Sequence, residues 1–222
     1  MPSSPRIPKE LILEHALKML IRDGYESINI KALAKEIGCS TQPISWHFGN
    51  MDGLRNALPE YAQSYAIGKL FNLQDNAVIS FLDLGLNYLN IAFDEPHLFR
   101  YLFMNGGSGY VASDINVFCD AGQNGEITKQ LVKQLGISPE LAKAYVLDLT
   151  MYAHGLASYI ATKVIKISKE EARDMLIRVG TAFFAPSQQP HSKLLGCDPG
   201  SIPKMDADPS AWLIARGNKG GN

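Results

Sequence analysis

The stretch Asn29–Phe48, NIKALAKEIGCSTQPISWHF, decides the fold of this 222-residue chain. Apolar residues at helical spacing predict a first short helix, with Asn29 suited to cap its start and Gly38 suited to end it. These apolar residues are Ile30, Leu33, Ala34 and Ile37. Ser40 or Thr41 can cap a second short helix that ends at Gly49. Two short helices joined by a tight turn indicate a helix-turn-helix, whose second helix lies in the major groove of DNA.

This motif needs a small residue in the turn, apolar residues between its helices and short polar side chains at the start of the second helix. Gly38 supplies the turn, and the apolar contact is expected from Leu33, Ala34, Ile37 and Ile44. We expect Thr41, Gln42 and Ser45 to reach base edges, because hydroxyl and amide groups read the major groove. For Thr41, a plain capping role is an equally open alternative.

Helical periodicity continues on both sides of this stretch, and strand patterns are scarce. A first helix is expected to open near Pro8 and to end at Asp23, and Asn50 can cap a longer helix that begins near Met51. Further helices are predicted over 74–94, 96–105, 113–135, 138–166 and 168–185. Pro59 lies well inside the helix from Met51, which predicts either a hinge or a boundary between two helices.

Composition excludes several classes of protein. The chain is 46% hydrophobic and 19% charged with a formal net charge of −1, which excludes a disordered chain and gives no overall sign of nucleic-acid binding. Residues 1–60 contain seven basic and seven acidic side chains, so counterion release is expected to add only modest DNA affinity.

The cysteines and the apolar runs bear on the compartment. Cys39, Cys119 and Cys197 have no CxxC spacing, so neither a disulfide framework nor a zinc site is supported, and we expect no metal or cofactor. The first residues have no apolar signal segment, and no run approaches the roughly 20 apolar residues of a membrane span. A soluble cytoplasmic protein without membrane contact is expected. Residues 186–222 are rich in Gly and Pro, which predicts a loose tail or an extended arm.

The first 60 or so residues resemble the DNA-binding domain of the tetracycline-repressor-like (TetR) family of transcription regulators. The resemblance lies in Ile12–Leu20, Asp23–Tyr25, Ile30–Gly38, Ser40, Trp46–Phe48 and Leu54. Residues 88–104 and 152–159 resemble, more weakly, the ligand-binding domain of one branch of that family. The resemblance implies an all-α homodimer with a three-helix head at residues 1–50. It also implies a helical effector-binding and dimerisation domain at 51–185, with 51–72 as the connector helix.

The resemblance also implies roles for residues of the head. By their positions in the motif, Asn29, Lys31 and Trp46 are expected to contact phosphates, and Pro43 and His47 to belong to the same DNA-binding surface. Lys31 as an ordinary solvated lysine and Trp46 packed against the first helix remain alternatives, and His47 is expected to close the helix end. Three positions depart from the family pattern. Ser45 and Trp46 replace a pair of tyrosines, and Met51 replaces a phosphate-binding lysine.

The later helices supply candidates for an effector site and a dimer interface. Phe103, Tyr152 and His154 are predicted to line an apolar pocket in which the imidazole is the polar group, although an aromatic stripe can equally be ordinary core. Helices 138–166 and 168–185 are predicted to form a four-helix bundle with a second copy. The residues expected in that bundle are Leu149, Leu156, Ile160, Leu176, Val179 and Phe183. The same residues can instead face their own domain.

The sequence therefore predicts a DNA-binding transcriptional regulator whose partners are double-stranded operator DNA, a small-molecule effector and a second copy of the chain. By the usual behaviour of the family it is a repressor released by its ligand. A ligand-independent DNA-binding or interaction module remains an alternative, as does a helical enzyme with a vestigial head. Titratable groups with strongly shifted pKa values in a pocket would indicate the enzyme, and a filled interior would indicate the module.

Overall fold

The computed structural model describes residues 7–71, 77–105 and 122–184, and within these residues all regular structure is helical. The helices are α1 (Lys9–Asp23), α2 (Ile30–Ile37), α3 (Gln42–Phe48), α4 (Met51–Leu70), α5 (Ala77–Asp94), α6 (Pro96–Phe99), α7 (Gly122–Leu135), α8 (Pro139–Ala161) and α9 (Lys169–Phe184). A 3₁₀ turn at Tyr25–Ser27 follows α1, and a π-helical turn at Arg100–Met104 continues α6. The predicted all-α class is confirmed.

Helices α1 to α3 form the head, which packs around a small apolar core. Helix α1 buries one face because its apolar residues recur at helical spacing. The wholly buried side chains of this core are Ile12, Ala16, Leu20, Leu33, Ile44 and Leu54. Since Leu33 lies on α2 and Ile44 on α3, the two helices of the motif are held against α1 and against the start of α4.

Helix α4 runs from the head into the rest of the protein without interruption. It is 20 residues long and passes through Pro59, so the alternative of two helices meeting there is wrong. The buried residues of α4 recur every four positions along its whole length, at Leu54, Leu58, Ala62, Ala66 and Leu70. Because one continuous apolar stripe holds α4 on both sides of Pro59, the helix tolerates the backbone hydrogen bond that proline removes.

Helices α5 to α9 form the body. Helix α5 packs along α8, and two glycines let α9 approach closely. A Cβ atom on Gly85 would lie 2.8 Å from Leu176 Cδ2, and one on Gly180 would lie 2.5 Å from Leu82 Cδ2. Leu176 is completely buried at this crossing.

The residues predicted to form the dimer bundle lie largely inside the chain's own body. Leu149, Leu156 and Ile160 of α8 and Leu176 of α9 are buried within this one chain. Val179 is half-buried, and the side chain of Phe183 lies outside the described residues. The alternative, that these residues face their own domain, is the correct one for those four leucine and isoleucine residues.

Several helix ends differ from the predicted ones. The predicted helix 138–166 ends at Ala161, because Lys163 takes a left-handed conformation (φ 59°) and the Val164 amide donates to the Tyr159 carbonyl at 3.0 Å. A lysine in that conformation gives no sequence signal, since glycine is its usual occupant. The predicted 96–105 helix changes from α to π at Arg100.

The other predicted helices agree with the structure as far as it describes them. For 74–94 and 113–135 the described helices begin at Ala77 and Gly122, and the earlier predicted residues lie outside the described part. The capping box of the last helix is confirmed, with the Ser168 amide 2.7 Å from Glu171 Oε2 and the Glu171 amide 3.1 Å from Ser168 Oγ. The predicted tail, 186–222, lies outside the described residues.

Within the described residues, no helix has the length and apolar character needed to span a membrane. The same residues hold no cluster of three or more His, Cys, Asp or Glu side chains arranged as metal ligands.

Candidate DNA-binding surface and effector site

The turn between α2 and α3 is built as the sequence predicts. Asn29 Oδ1 accepts a hydrogen bond from the Ala32 amide at 2.9 Å and so caps α2. Gly38 ends the helix in the left-handed conformation (φ 78°), and the Cys39 amide donates to the Ala34 carbonyl at 2.9 Å. These bonds fix the direction in which the chain enters α3.

Helix α3 presents one polar face to solvent, which we call the recognition face: Thr41, Gln42, Ser45 and Trp46. All four side chains are exposed, Trp46 by 67%. The opposite side of α3 carries the buried Ile44, and Pro43 is half-buried between the two. Thr41 occupies the N-cap position, one of the two predicted, but α3 starts without a side-chain capping bond. The Thr41 hydroxyl is therefore not used by the helix end.

His47 and Asn29 have structural partners. His47 Nε2 lies 2.8 Å from the Ile7 carbonyl oxygen, so the ring ties the chain before α1 to the end of α3. Its ring also contacts Trp46, with centroids 4.8 Å apart. Asn29 is engaged in its cap. The closing role expected of His47 fits this bond, and a DNA contact by either residue stays a prediction.

The start of α4 holds the recognition helix in place. Asn50 Oδ1 accepts from the amides of Asp52 and Gly53 at 3.0 and 3.1 Å, which confirms the predicted cap. A Cβ atom on Gly53 would lie 1.9 Å from the Phe48 carbonyl oxygen. Only glycine therefore allows the end of α3 to rest on the first turn of α4. Sequence reasoning missed Gly53, although a glycine in the first turn of a helix is an unusual choice that can signal close approach.

Acidic partners neutralise part of the positive charge of the head. Arg22 pairs with Glu36 at 3.0 Å, and Glu36 together with Asp23 raises the pKa of the guanidinium. Lys18 and Arg55 pair with acidic residues of their own helices. Lys31 and Lys35 are exposed and form no ion pair with another described residue. Lys31, the predicted phosphate contact, thus keeps its charge available.

Four aromatic rings form a cluster in the body, which we call the aromatic cluster: Tyr88, Phe99, Phe103 and His154. The ring centroids of Tyr88, Phe99 and Phe103 lie 5.0 to 5.2 Å apart. Phe99 is completely buried, and the other three are half-buried. The structure thus brings together two of the three residues predicted for the effector site, Phe103 and His154.

Two hydroxyl groups lie on either side of the His154 imidazole in this cluster. The Tyr88 hydroxyl lies 2.8 Å from His154 Nδ1, and the Ser158 hydroxyl lies 3.5 Å from His154 Nε2. Burial raises the pKa of Tyr88 and lowers that of His154, so both side chains are neutral at pH 7. Sequence reasoning counted Tyr88 only among the aromatic residues and missed Ser158. Tyr88 lies on a different helix from His154, and Ser158 lies one turn after it, so neither spacing indicates a shared site.

Tyr152, the third residue predicted for the effector site, lies elsewhere. Two residues along an α-helix are separated by about 200° around its axis, so Tyr152 and His154 flank opposite sides of α8. Tyr152 is half-buried beside an outward face of α8 that exposes Met151 and Tyr159, by 51% and 54%. A Cβ on Gly155, between them, would meet no atom within 4 Å. We call Met151, Gly155 and Tyr159 the outer face of α8.

The body holds α4 through a buried carboxylate. Glu95 Oε1 accepts hydrogen bonds from the Tyr65 hydroxyl, at 2.9 Å, and from the Lys69 ammonium group, while its Oε2 is buried with no hydrogen-bond partner. Burial acts to lower the pKa of Lys69, but the hydrogen bonds that its ammonium group donates to Glu95 and Tyr65 outweigh this effect, and the pKa is raised. Glu95 is 8% exposed, and it directly precedes α6.

The ten residues 95–104, which we call the junction segment, contact the head as well. His97 packs on Gly24, where an added Cβ would lie 2.8 Å from its Nδ1, and Tyr101 stacks on Tyr25 with centroids 5.0 Å apart. Phe99 and Phe103 lie on the other side of the same segment, in the aromatic cluster. The junction segment therefore lies between the aromatic cluster and the head. Apart from the helix start at Glu95-Pro96, no local pattern of residues indicates this arrangement.

Comparisons with known proteins agree with this geometry. Residues 12–58 match the family described as bacterial regulatory proteins, tetR family. The fold resembles a TetR-like transcriptional regulator from Rhodococcus sp. RHA1, with a TM-score of 0.54 and 14% identity over 82% of this chain and 100% of that one. It also resembles TetR from Acinetobacter baumannii AYE, with a TM-score of 0.50 and 14% identity over 86% of this chain and 100% of that one. Comparison by sequence with curated proteins finds no significant match.

At these identities the solved structures support the fold alone, and the family match rests on the head. That match spans α1 from Ile12 onward, the helix-turn-helix and the first eight residues of α4, the elements that position the recognition face. Residues 12–58 of the chain therefore match the tetR family of bacterial regulatory proteins, and the described residues share the fold of TetR-like regulators.

Proposed function

We propose that this protein is a homodimeric repressor of transcription that a small organic effector releases from its operator. The head at residues 1–50 binds DNA, α4 within 51–72 connects it to the body, and the body up to residue 185 binds the effector and the second copy. The observation that carries the proposal is the recognition face of α3, because it is polar, exposed and rigidly seated on Ile44 and Gly53.

Gln42 and Ser45 are the base-reading residues of this proposal, with Thr41 beside them. They share one side of α3, and their amide and hydroxyl groups can pair with base edges in the major groove. Lys31 supports the proposal as a phosphate contact, since it is exposed and lacks an ion pair with another described residue. Trp46 has an exposed indole whose N–H group can donate to a phosphate.

The test begins by selecting genomic DNA fragments that the purified protein retains, followed by mobility-shift titrations of the selected operator. Gln42→Ala should weaken operator binding by about 1–3 kcal/mol while leaving non-specific binding unchanged. Lys31→Ala should weaken binding to all sequences alike. Asn90→Ala, an exposed amide on α5, is the matched control and should change neither. Retention of no fragment at low salt would contradict the proposal.

Repression and release are tested separately from binding. In a reporter strain carrying the selected operator, the protein should lower transcription, and an extract fraction that dissociates the protein from DNA in vitro should restore it. The candidate effector site is the aromatic cluster. Its half-buried rings and the hydroxyl groups beside His154 suit a small organic molecule. Activation of the reporter by the protein would contradict the repressor assignment.

The second copy is proposed to dock on the outer face of α8. Met151 and Tyr159 are large and exposed, and Gly155 between them leaves a notch that nothing in the described chain fills. An interior helix glycine costs about 1 kcal/mol relative to alanine, so an unfilled notch suggests close approach by another helix. In a twofold interface the same face meets itself, which lets each projecting side chain enter the notch of its partner.

Sedimentation measurements distinguish this interface from other faces. Met151→Glu should shift the protein from dimer to monomer and weaken operator binding, because two heads are needed to occupy two half-sites. Ile67→Glu is the control, since it places the same charge at another exposed apolar residue, 46% exposed on α4. Dimerisation that survives Met151→Glu and Gly155→Leu would place the interface elsewhere.

A further inference from the structure

The hydrogen-bonding state of His154 points to the chemistry of the effector, and this inference rests on the effector site proposed above. A neutral imidazole carries one proton, so one ring nitrogen donates and the other accepts. Burial raises the pKa of Tyr88, which keeps its hydroxyl group protonated, and its partner in the described chain is His154 Nδ1 at 2.8 Å. When the Tyr88 hydroxyl donates to Nδ1, the imidazole proton resides on Nε2.

In this tautomer, the Nε2–H group lacks a good acceptor within the described part of the chain. The Ser158 hydroxyl oxygen lies 3.5 Å away, beyond the 2.7–3.2 Å typical of an N–H···O hydrogen bond. His154 is only half-buried, whereas Phe99 beneath it is completely buried. Because the imidazole is half-buried and its ring centroid lies 6.1 Å from that of the buried Phe99, we expect an incoming acceptor atom to meet this donor beside an apolar, aromatic surface.

Charge is the second constraint on the effector. Within the described residues, the groups joined by hydrogen bonds in the cluster are the Tyr88 and Ser158 hydroxyls and the imidazole, and all are uncharged at pH 7. In the described part of the chain no Lys, Arg, Asp or Glu side chain forms a hydrogen bond with any of them. A charged ligand group placed here would lose its hydration without gaining an opposite charge.

We propose that the effector is an uncharged molecule with an aromatic or aliphatic body that accepts one hydrogen bond from His154 Nε2. A ketone, ester, ether or alcohol on an apolar skeleton has this chemistry. Tyr88 is a positioning residue in this site, because it fixes which imidazole nitrogen carries the proton, and Ser158 can add a second hydrogen bond to the same acceptor atom.

Four small probes of similar size test this inference on the full-length protein by saturation-transfer NMR titration. Acetophenone has a neutral acceptor, ethylbenzene has none, benzoate is an anion and benzylammonium is a cation. Acetophenone should bind roughly five- to tenfold more tightly than ethylbenzene, as one hydrogen bond provides. Both ions should bind at least about tenfold more weakly than acetophenone.

Variants show whether His154 is responsible. His154→Phe should remove the preference for acetophenone over ethylbenzene, and His154→Gln should restore part of it because the amide still donates. Tyr88→Phe should reduce the preference, and Tyr61→Phe on α4 is the matched control that should leave it unchanged. Nitrogen-15 NMR of the ligand-free protein should show a proton on His154 Nε2. This readout separates the two roles of Tyr88, because a tyrosine that only fills space would not determine which imidazole nitrogen carries the proton.

The outcomes separate this inference from the proposed function. Tightest binding by benzoate or benzylammonium, equal binding of acetophenone and ethylbenzene, or no binding of acetophenone would each overturn the chemical class. A preference unchanged in His154→Phe or, if that variant does not fold, in His154→Gln and Tyr88→Phe would overturn the role of His154. Release from DNA by an extract fraction would still support the proposed function in every one of these cases.

Discussion

Gly53 shows how one missing side chain decides the position of the recognition helix. The Phe48 carbonyl at the end of α3 occupies the space that a Cβ atom would need, 1.9 Å away. No flexible side chain can move aside there, because the obstructing atom belongs to the backbone. The seating of α3 on α4 therefore depends on glycine at this position.

Gly53→Ala should destabilise the protein by about 1–3 kcal/mol, since α3 must shift to relieve the overlap. Operator affinity should fall further than this loss of stability explains, because the shift misplaces Gln42 and Ser45. Gly68→Ala in the same helix is the control. Its position is exposed and open, so alanine should stabilise the protein by about 0.5–1 kcal/mol. Urea unfolding and mobility-shift titrations measure the two effects, and equal effects of both substitutions would contradict the seating.

His154 makes stability depend on pH. Burial lowers its pKa below the ordinary value of 6.5, so between 6.5 and the lower folded-state pKa the unfolded chain binds more protons than the folded one. The free energy of unfolding should therefore fall as the pH is lowered through this window and should be fully regained above 6.5. Denaturant titrations across the window should show a shallower pH dependence for His154→Gln than for the unchanged protein. An identical slope in both would contradict this prediction.

Among the elements, α4 has the most demanding role, because it belongs to both the head and the body. Its first turns pack with α1 and α3, and its last turns are fixed by Tyr65 and Lys69 to Glu95. Pro59 lies between these two regions, where the Arg55 carbonyl lacks the backbone N–H partner of an ordinary helix. A bend at this point would change the direction of the head relative to the body, so we interpret Pro59 as a hinge.

Pro59→Ala should restore that hydrogen bond and stiffen α4. Since proline costs about 3 kcal/mol relative to alanine inside a helix, the variant should be more stable by a few kcal/mol at most. The effector should then release the variant from DNA less completely at saturation. The test measures the operator affinity of both proteins with and without an extract fraction that releases the unchanged protein. If the ratio of these two affinities is the same in Pro59→Ala as in the unchanged protein, a hinge is excluded.

The helices and the head motif could be predicted from the sequence, because periodicity and caps are local signals. Four predicted caps are present: those at Asn29, at Asn50, at Ser138 and at the pair of Ser168 and Glu171. Features that depend on distant contacts could not be predicted. Three such features depend on how α5, α8 and the junction segment pack. They are the burial of Leu149 within its own chain, the separation of Tyr152 from His154 and the π-helical turn after Phe99.

For the whole molecule, the proposed regulation by an effector requires that the aromatic cluster and the recognition face influence each other. An effector changes DNA affinity only as far as it binds one arrangement of the molecule better than another. The junction segment is the candidate for this link, since it contacts the cluster through Phe99 and Phe103 and the head through His97 and Tyr101. Glu95 fixes its first residue to α4.

Glu95→Gln should weaken this link while preserving shape. The ion pair with Lys69 is lost, so stability should fall by about 1 kcal/mol, and the effect of the extract fraction on operator affinity should shrink. Asp94→Asn is the neighbouring control. Asp94 pairs with Lys169 at 2.6 Å, but both are exposed, so the loss should stay within about 0.5 kcal/mol and release should be unchanged. Calorimetry and operator titrations measure both, and equal release by the two variants would contradict a special role for Glu95.

The arrangement of residues 95–104 has a consequence for how such a regulator can change over generations. The side chains that contact the aromatic cluster and those that contact the head alternate over the seven residues from His97 to Phe103, which is about two helical turns. Under the proposed function, a substitution at Phe99 or Phe103 that admits a different compound should therefore also alter how much of the operator is bound in the absence of the effector. New effector preferences should therefore arise in this fold through a replacement inside the cluster together with a second change at Tyr25, Gly24 or Lys69. The second change restores the operator occupancy that the first one alters.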